Sequence, residues 1–222
     1  MDNIVISRYQ GVIAQIGRLR WTEIDSDELI AAATAYYYFS IQFRENLLIA
    51  ASLFPDDQKL AHLAAEECNT DNLSPWPSVA APGERMNHDE FMRRALSLSP
   101  LPEERAKATE AAGLAYLNKA RLYPPDIRAS SIASYEDGGL ETTFKAMLTA
   151  PSWNNPTLRA FRHFLVKHIH FDTDPDAGHG ALSRHLQVDD RILPLWEDFR
   201  DLLICAVPRL STGAATSSTP LQ

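Results

Sequence analysis

Apolar residues recur in steps of three and four along nearly the whole chain, the spacing of helices with one buried face, and no stretch alternates in the two-residue period of a strand. Residues 1–20 mix apolar and basic positions without strong caps and read as a short helix packed on the body. Ser26, followed by Asp27, Glu28 and Leu29, has the chemistry of an N-cap with acids in the first turn, and the helix it opens extends to about residue 53. Pro55-Asp56-Asp57 starts a second helix whose stripe is Leu60, Leu63, Ala64 and Glu67, with Glu66 turned about a quarter of the way round. Pro75, Pro77, Pro82 and Gly83 then break the chain into a loop over residues 70–85. Asn87 caps a helix that carries His88, Phe91, Met92 and Ala95 on one face. Pro102-Glu103-Glu104 opens another, continuing to about residue 121 before Pro124-Pro125 stops it. After a polar connection, Tyr135-Glu136-Asp137-Gly138-Gly139 leads into a helical run over 140–148, which Pro151 ends. Asn155-Pro156 begins a helix with Leu158, Phe161 and Leu165 inward; Pro175 and Gly178 interrupt it, and a fresh helix is expected near His179. The last helix, 189–207, turns Leu193, Trp196, Phe199, Leu203 and Val207 inward. With no internal repeat, the pattern predicts an all-α, single-domain helical bundle over residues 1–208 and a flexible Ser/Thr-rich tail over 209–222.

A chain of 222 residues with 45% hydrophobic content can bury a sizeable core within one domain. Its formal net charge of −8 and pI near 5.3 argue against nucleic acid, whose phosphates demand a basic surface. The longest apolar run, 29–39, is about half of what a bilayer span requires, and Asp2 does not suit a secretory leader, so a cytoplasmic protein with no membrane partner is expected. Cys68 and Cys205 are too few for a disulfide framework or a thiolate metal site, and free buried thiols suit a reducing compartment.

The chemistry lies where polar residues fall on the apolar faces. Three imidazoles and three carboxylates crowd into residues 168–179, and the face through Leu158, Phe161 and Leu165 runs on to His168 and Asp172. Burying such groups costs several kcal/mol unless partners or a metal satisfy them. Glu67 and His88 end buried stripes in the same way, and Glu136 and Glu141 both lie within reach of an apolar face. Oxygen and nitrogen ligands in this mixture suit iron or manganese, whereas structural zinc recruits thiolates. Helix bundles build dinuclear carboxylate sites from side chains on facing helices. Taken singly, each residue has a plainer reading: a structural His–Asp pair, a helix-terminal acid at Glu67, local pairing at His88, a surface position for His179. His62, His163, His170 and His185 read as structural or surface residues, His170 being offset from the His168 face by more than half a turn.

An all-helical chain with Glu then His on early helices, a mid-chain Glu, and a late His-x-x-x-Asp followed by His resembles the haem-oxygenase-like diiron oxidases and oxygenases. The resemblance covers about residues 30–205 and rests on Ala65-Glu66-Glu67-Cys68, Met86-Asn87-His88-Asp89-Glu90-Phe91, Ser134-Tyr135-Glu136-Asp137, His168, Asp172 and His179. It implies two bound irons held by Glu67, His88, Glu136, His168, Asp172 and His179, with dioxygen as co-substrate. Glu136 is preferred to Glu141 because its interval to His168 resembles the family's; Glu66 stays open as the alternative to Glu67. Two features depart from the family: a proline-rich insertion places Glu67 and His88 21 positions apart, and Asp172 and His179 stand seven apart. Asp176 and Glu45 are therefore further candidate carboxylates.

What the resemblance implies is an O2-dependent non-haem iron oxidoreductase acting on a small molecule of amino-acid, fatty-acid or amine type, as in natural-product biosynthesis, with room for an external electron donor and a homodimer. Tyr36, Tyr37, Phe39, Phe43 and Trp153 are candidate pocket residues that core packing explains equally well. Other classes remain: a metal-free relative such as a cofactorless oxidase, a thiaminase-like hydrolase using Cys68 or Cys205, or a non-catalytic helical binding module. Cys205, mid-helix among apolar neighbours, reads as inert packing. A haem oxygenase proper needs an axial histidine on its first helix, and no histidine precedes His62.

Overall fold

The computed structural model describes residues 7–71, 75–172, 183, 185, 186 and 188–211. Helices α1 (Arg8–Gly17), α2 (Ser26–Leu53), α3 (Gln58–Cys68), α4 (His88–Leu96), α5 (Glu103–Ala120), α6 (Pro125–Ser134), α7 (Leu140–Met147), α8 (Pro156–Asp172) and α9 (Leu193–Ala206) make up an all-helical bundle. A π turn, Tyr135–Gly139, joins α6 to α7, and 3-10 turns flank α9. Among the described residues there is no strand, only isolated bridges between Thr70 and Met86 and between Trp76 and Ala80. No described helix is long and apolar enough to cross a membrane.

The bundle is built round α2, which packs on α3, α4, α5, α6, α8 and α9. A helix apolar on all sides belongs at a centre, and Leu29, Ala31, Ala32, Ala33, Ala35, Phe39 and Leu47 are all fully buried. Its start lies one residue earlier than the sequence pattern suggests. Asp25, not Ser26, is the N-cap: its carboxylate accepts from Glu28 N at 2.9 Å while the Glu28 side chain accepts from Asp25 N at 2.9 Å, satisfying two amides at once.

Two buried amides on α2 fix its neighbours. Gln42 accepts from Tyr116 Oη (2.6 Å) on α5 and donates to Tyr135 Oη (3.3 Å). Asn46 donates to Ser131 Oγ (3.1 Å) and accepts from Arg128 Nε (2.7 Å), both on α6. Helix α6 replaces the polar connection expected after Pro124-Pro125: Pro125 occupies a first-turn position, where its missing N–H costs nothing, and Ala129, Ile132 and Ala133 bury its inner face.

The inward residues expected on the last helix, Leu193, Trp196, Phe199, Leu203 and Val207, are all buried, although residues 190–192 form a 3-10 turn before α9 begins. Ordered packing continues past residue 208. Leu210 is fully buried, and its carbonyl accepts from Arg20 N at 3.2 Å. The helix expected near His179 and most of the expected tail lie outside the described residues.

Candidate metal centre

Three helices deliver the polar groups of the site. On α3 the stripe Leu60, Leu63, Glu67 is buried, so the repeat that packs the helix carries its last member, a carboxylate, into the interior. Glu66 is only half-buried. The proline-rich insertion then leaves and returns. Thr70 N donates to Met86 O at 3.2 Å and Met86 N to Thr70 O at 2.9 Å, a two-bond antiparallel clamp that closes the loop between them. Glu67 lies three residues before the clamp and His88 two after it, and this cancels the 21-residue separation. His88 is the first residue of α4, and His168 lies in the C-terminal part of α8.

Glu67, His88 and His168 are buried, between 4 and 7% exposed. Glu67 Oε2 stands 2.6 Å from His88 Nδ1, and His168 Nε2 stands 3.2 Å from the same nitrogen. One ligand atom from each of the three residues lies within 4.8 Å of the others. The group can hold a metal ion. His168 Nδ1 is 3.2 Å from the Phe164 carbonyl, which only accepts, an arrangement in which Nδ1 donates and Nε2 is turned inward toward His88. A carbonyl behind a ligating imidazole is the usual device for fixing tautomer and ring orientation at metal sites.

His88 Nδ1 thus faces both a carboxylate oxygen and an imidazole nitrogen, and the three are donor atoms of the kinds that ligate a divalent ion. Donors held about 2.0–2.2 Å from a common ion lie about 2.8–3.6 Å from one another in right-angled to tetrahedral arrangements, and the spacing between the two imidazole nitrogens falls in that range. The shorter Glu67–His88 contact has the length of a charge-assisted hydrogen bond.

Glu136 is a further carboxyl group of the same cavity. It lies on the π turn, is buried (4% exposed) and lines the same small cavity as Glu67, His88 and His168. π segments occur mostly as local insertions at functional positions. Two glycines shape this one: Gly138 adopts φ +89°, which side chains disfavour, and a Cβ on Gly139 would meet Ser134 O at 2.2 Å and the Trp196 ring at 2.6 Å. Glu141, the other mid-chain candidate, pairs with Lys145 on the surface side of α7 and does not line the cavity.

The cavity measures about 10 Å³, room for a single water-sized occupant. Tyr36, Ser40 and Phe43 of α2 and Leu140 of α7 are its buried walls, and Arg44 and Asp89 complete it. Of the suggested pocket aromatics, Tyr36 and Phe43 are therefore at the site. Phe39 packs instead on Phe199, with ring centroids 4.2 Å apart, and Tyr37 and Trp153 do not line the cavity. Ser40, Arg44, Leu140 and Asp89 were not singled out from the sequence. Ser40 and Arg44 follow Tyr36 at four-residue steps along α2, a weak signal because core packing explains Tyr36 as well as a pocket does.

The remaining candidates fall elsewhere. Glu45 is engaged by Arg121 (2.6 Å) and Arg128 (3.1 Å); burial pushes its carboxyl up, but the hydrogen bonds from these two guanidinium groups leave it below the usual range. Asp172 ends α8 four residues beyond His168, its side chain outside the description, and Asp176 and His179 lie outside the described residues altogether. His170 and His62 are exposed, His163 stacks on Trp76, and His185 pairs with Asp57. Burial, with nearby Glu67 adding, pushes the half-buried Cys68 thiol up to about 11, which keeps it protonated at neutral pH. Cys205 is exposed and lines a separate surface cleft with Lys119 and Asp198, because the helical turn that buries Leu202 and Leu203 rotates it outward, against the expectation of inert packing. No family model, curated protein or solved structure matches the chain.

Proposed function

We propose that the chain is an O2-dependent non-haem iron oxidoreductase of the haem-oxygenase-like kind, acting on a small molecule in the cytoplasm. The observation that carries this reading is the convergence of one ligand atom each from Glu67, His88 and His168, on three helices, within 4.8 Å of one another and out of solvent. One carboxylate with two imidazoles suits a divalent first-row ion, and no thiolate is present to direct the site toward structural zinc. Glu67, His88 and His168 would hold one iron, with Glu136 lining the same cavity. By the resemblance alone, Asp172 and His179, the latter outside the described residues, would belong to a second binding position. Bound iron supplies the activation of dioxygen.

The protein's own groups do the rest. The Phe164 carbonyl, 3.2 Å from His168 Nδ1, orients the ring so that Nε2 faces His88. Tyr36, Phe43 and Leu140 keep bulk water from the ligands, which strengthens every electrostatic contact among them. Glu67 and Glu136 bring two buried carboxyl groups to the cavity, oxygen donors of the kind a divalent ion takes. The test is anaerobic equilibrium dialysis of the full chain against Fe(II), followed by metal analysis. Saturable uptake that falls in Glu67→Gln and His88→Ala is expected. Uptake no greater than that of a metal-free control protein sinks the proposal and leaves the 2.6 Å Glu67–His88 contact as a structural hydrogen bond.

A further inference from the structure

Resting on the reading of this cavity as the reactive site, we infer that Arg44 is the docking group for the carboxylate of a small anionic ligand. The cavity as it stands holds no more than a water-sized occupant, so a substrate enters only by displacing part of the wall. Most of that wall cannot yield cheaply. Tyr36, Ser40, Phe43 and Leu140 are 3 to 6% exposed and belong to the packed interior between α2 and α7, where displacement leaves voids. Of the described residues lining the cavity, Arg44 and Asp89 are the most exposed, their side chains 30% and 13%. The part of the described wall nearest solvent is therefore an ion pair.

The geometry of that pair decides the charge of the ligand. Arg44 Nε donates to both Asp89 oxygens (3.1 and 3.2 Å), and Nη2 donates to Oδ2 at 3.0 Å. Both Asp89 oxygens are thus engaged, while Arg44 Nη1 donates to none of the described residues. The spare capacity is three N–H donors, two on Nη1 and one on Nη2, on a planar, permanently charged group beside Asp89, the chain neighbour of His88. A guanidinium fork matches a carboxylate in two parallel hydrogen bonds. An incoming carboxylate can first bond Nη1 and then replace Asp89, exchanging one charged acceptor for another. A neutral ligand has to part the pair without replacing either half, and an ammonium has to strip Asp89 of donors it already holds. The favoured ligand is a small carboxylic acid with its anionic end at Arg44 and its remainder toward Glu67, His88 and His168.

The test titrates the full chain, by calorimetry and thermal shift, with butanoate, octanoate, dodecanoate and the common amino acids, each beside its primary amide. At least one carboxylate should bind saturably where its amide does not. Arg44→Gln should weaken that carboxylate by at least about tenfold, the loss of one charge-assisted hydrogen bond or more, and Arg44→Lys by less. Asp89→Asn should tighten it, because the competing acceptor loses its charge; a purely structural ion pair predicts no such gain. Iron uptake should survive in Arg44→Gln, which separates this proposal from the metal assignment. Should Arg44→Gln fail to fold, Arg44→Lys and Asp89→Asn carry the comparison. Carboxylates that bind no better than their amides, or that bind Arg44→Gln and wild type alike, overturn the inference. Loss of iron binding in the wild type would overturn the oxidoreductase reading and leave the carboxylate result to be judged by itself.

Discussion

Iron-induced stabilisation in His168→Ala and His170→Ala separates a ligand from a bystander on one helix. Both residues lie near the C-terminal end of α8, but His168 is 5% exposed with its Nε2 turned toward His88, while His170 is exposed to solvent. An ion that binds only the folded chain stabilises it by about 2.7 kcal/mol at a hundredfold excess over its dissociation constant. For a chain of this size that is a rise of about 5–11 °C in Tm. Wild type and His170→Ala should show the full rise under anaerobic Fe(II), and His168→Ala a small part of it. The absolute stability of the metal-free variants is a separate matter. The His168 ring packs against Phe164 with centroids 4.2 Å apart and against Phe144 at 5.7 Å, and truncating a buried side chain of comparable size costs about 2–5 kcal/mol. His170→Ala should stay within about 0.5 kcal/mol of wild type. The diagnostic quantity is therefore the iron-dependent difference within each protein, read by differential scanning fluorimetry. Equal shifts in all three would show that His168 ligates nothing and that its burial is purely structural.

Gly139→Ala should destabilise the chain by about 1–3 kcal/mol in urea denaturation, since overpacking in an ordered interior costs that much, and the new methyl would strike Ser134 O and the Trp196 ring. Gly11→Ala, with nothing near its Cβ, is the control and should be neutral or stabilising. The Glu90 carboxyl is held down to about 2 from an ordinary 4.5, first by its hydrogen bond from Arg93, with burial opposing and Arg94 adding. Because the folded value is the lower one, this contribution is complete above 4.5 and is lost as pH falls toward 2. Urea midpoints should drop through that window in wild type and drop less in Glu90→Gln; parallel curves would show that Glu90 adds nothing.

Helices with one apolar face are legible because burial imposes its period on the sequence. The ligand-type residues Glu67, His88 and His168 are legible because they break that period at its buried end. What escaped is what depends on partners far along the chain. Helix α6 was hidden because two prolines read as a stop, and because Arg128 and Ser131 look like surface residues until Asn46, more than eighty positions away, accounts for them. Arg44 and Asp89 were passed over for a similar reason. A charged residue on a helix is solvated by default, and only their mutual pairing places them at the cavity. The wide interval between Glu67 and His88 makes the same point in reverse. Closing a loop costs free energy that grows only logarithmically with its length, so lengthening the stretch between two site residues adds little once its ends are tied. The Thr70–Met86 bonds tie them, converting a sequence separation that counts against a shared site into a contact of 2.6 Å. For a centre assembled from helix ends, backbone closure near each residue says more about membership than the number of residues between them.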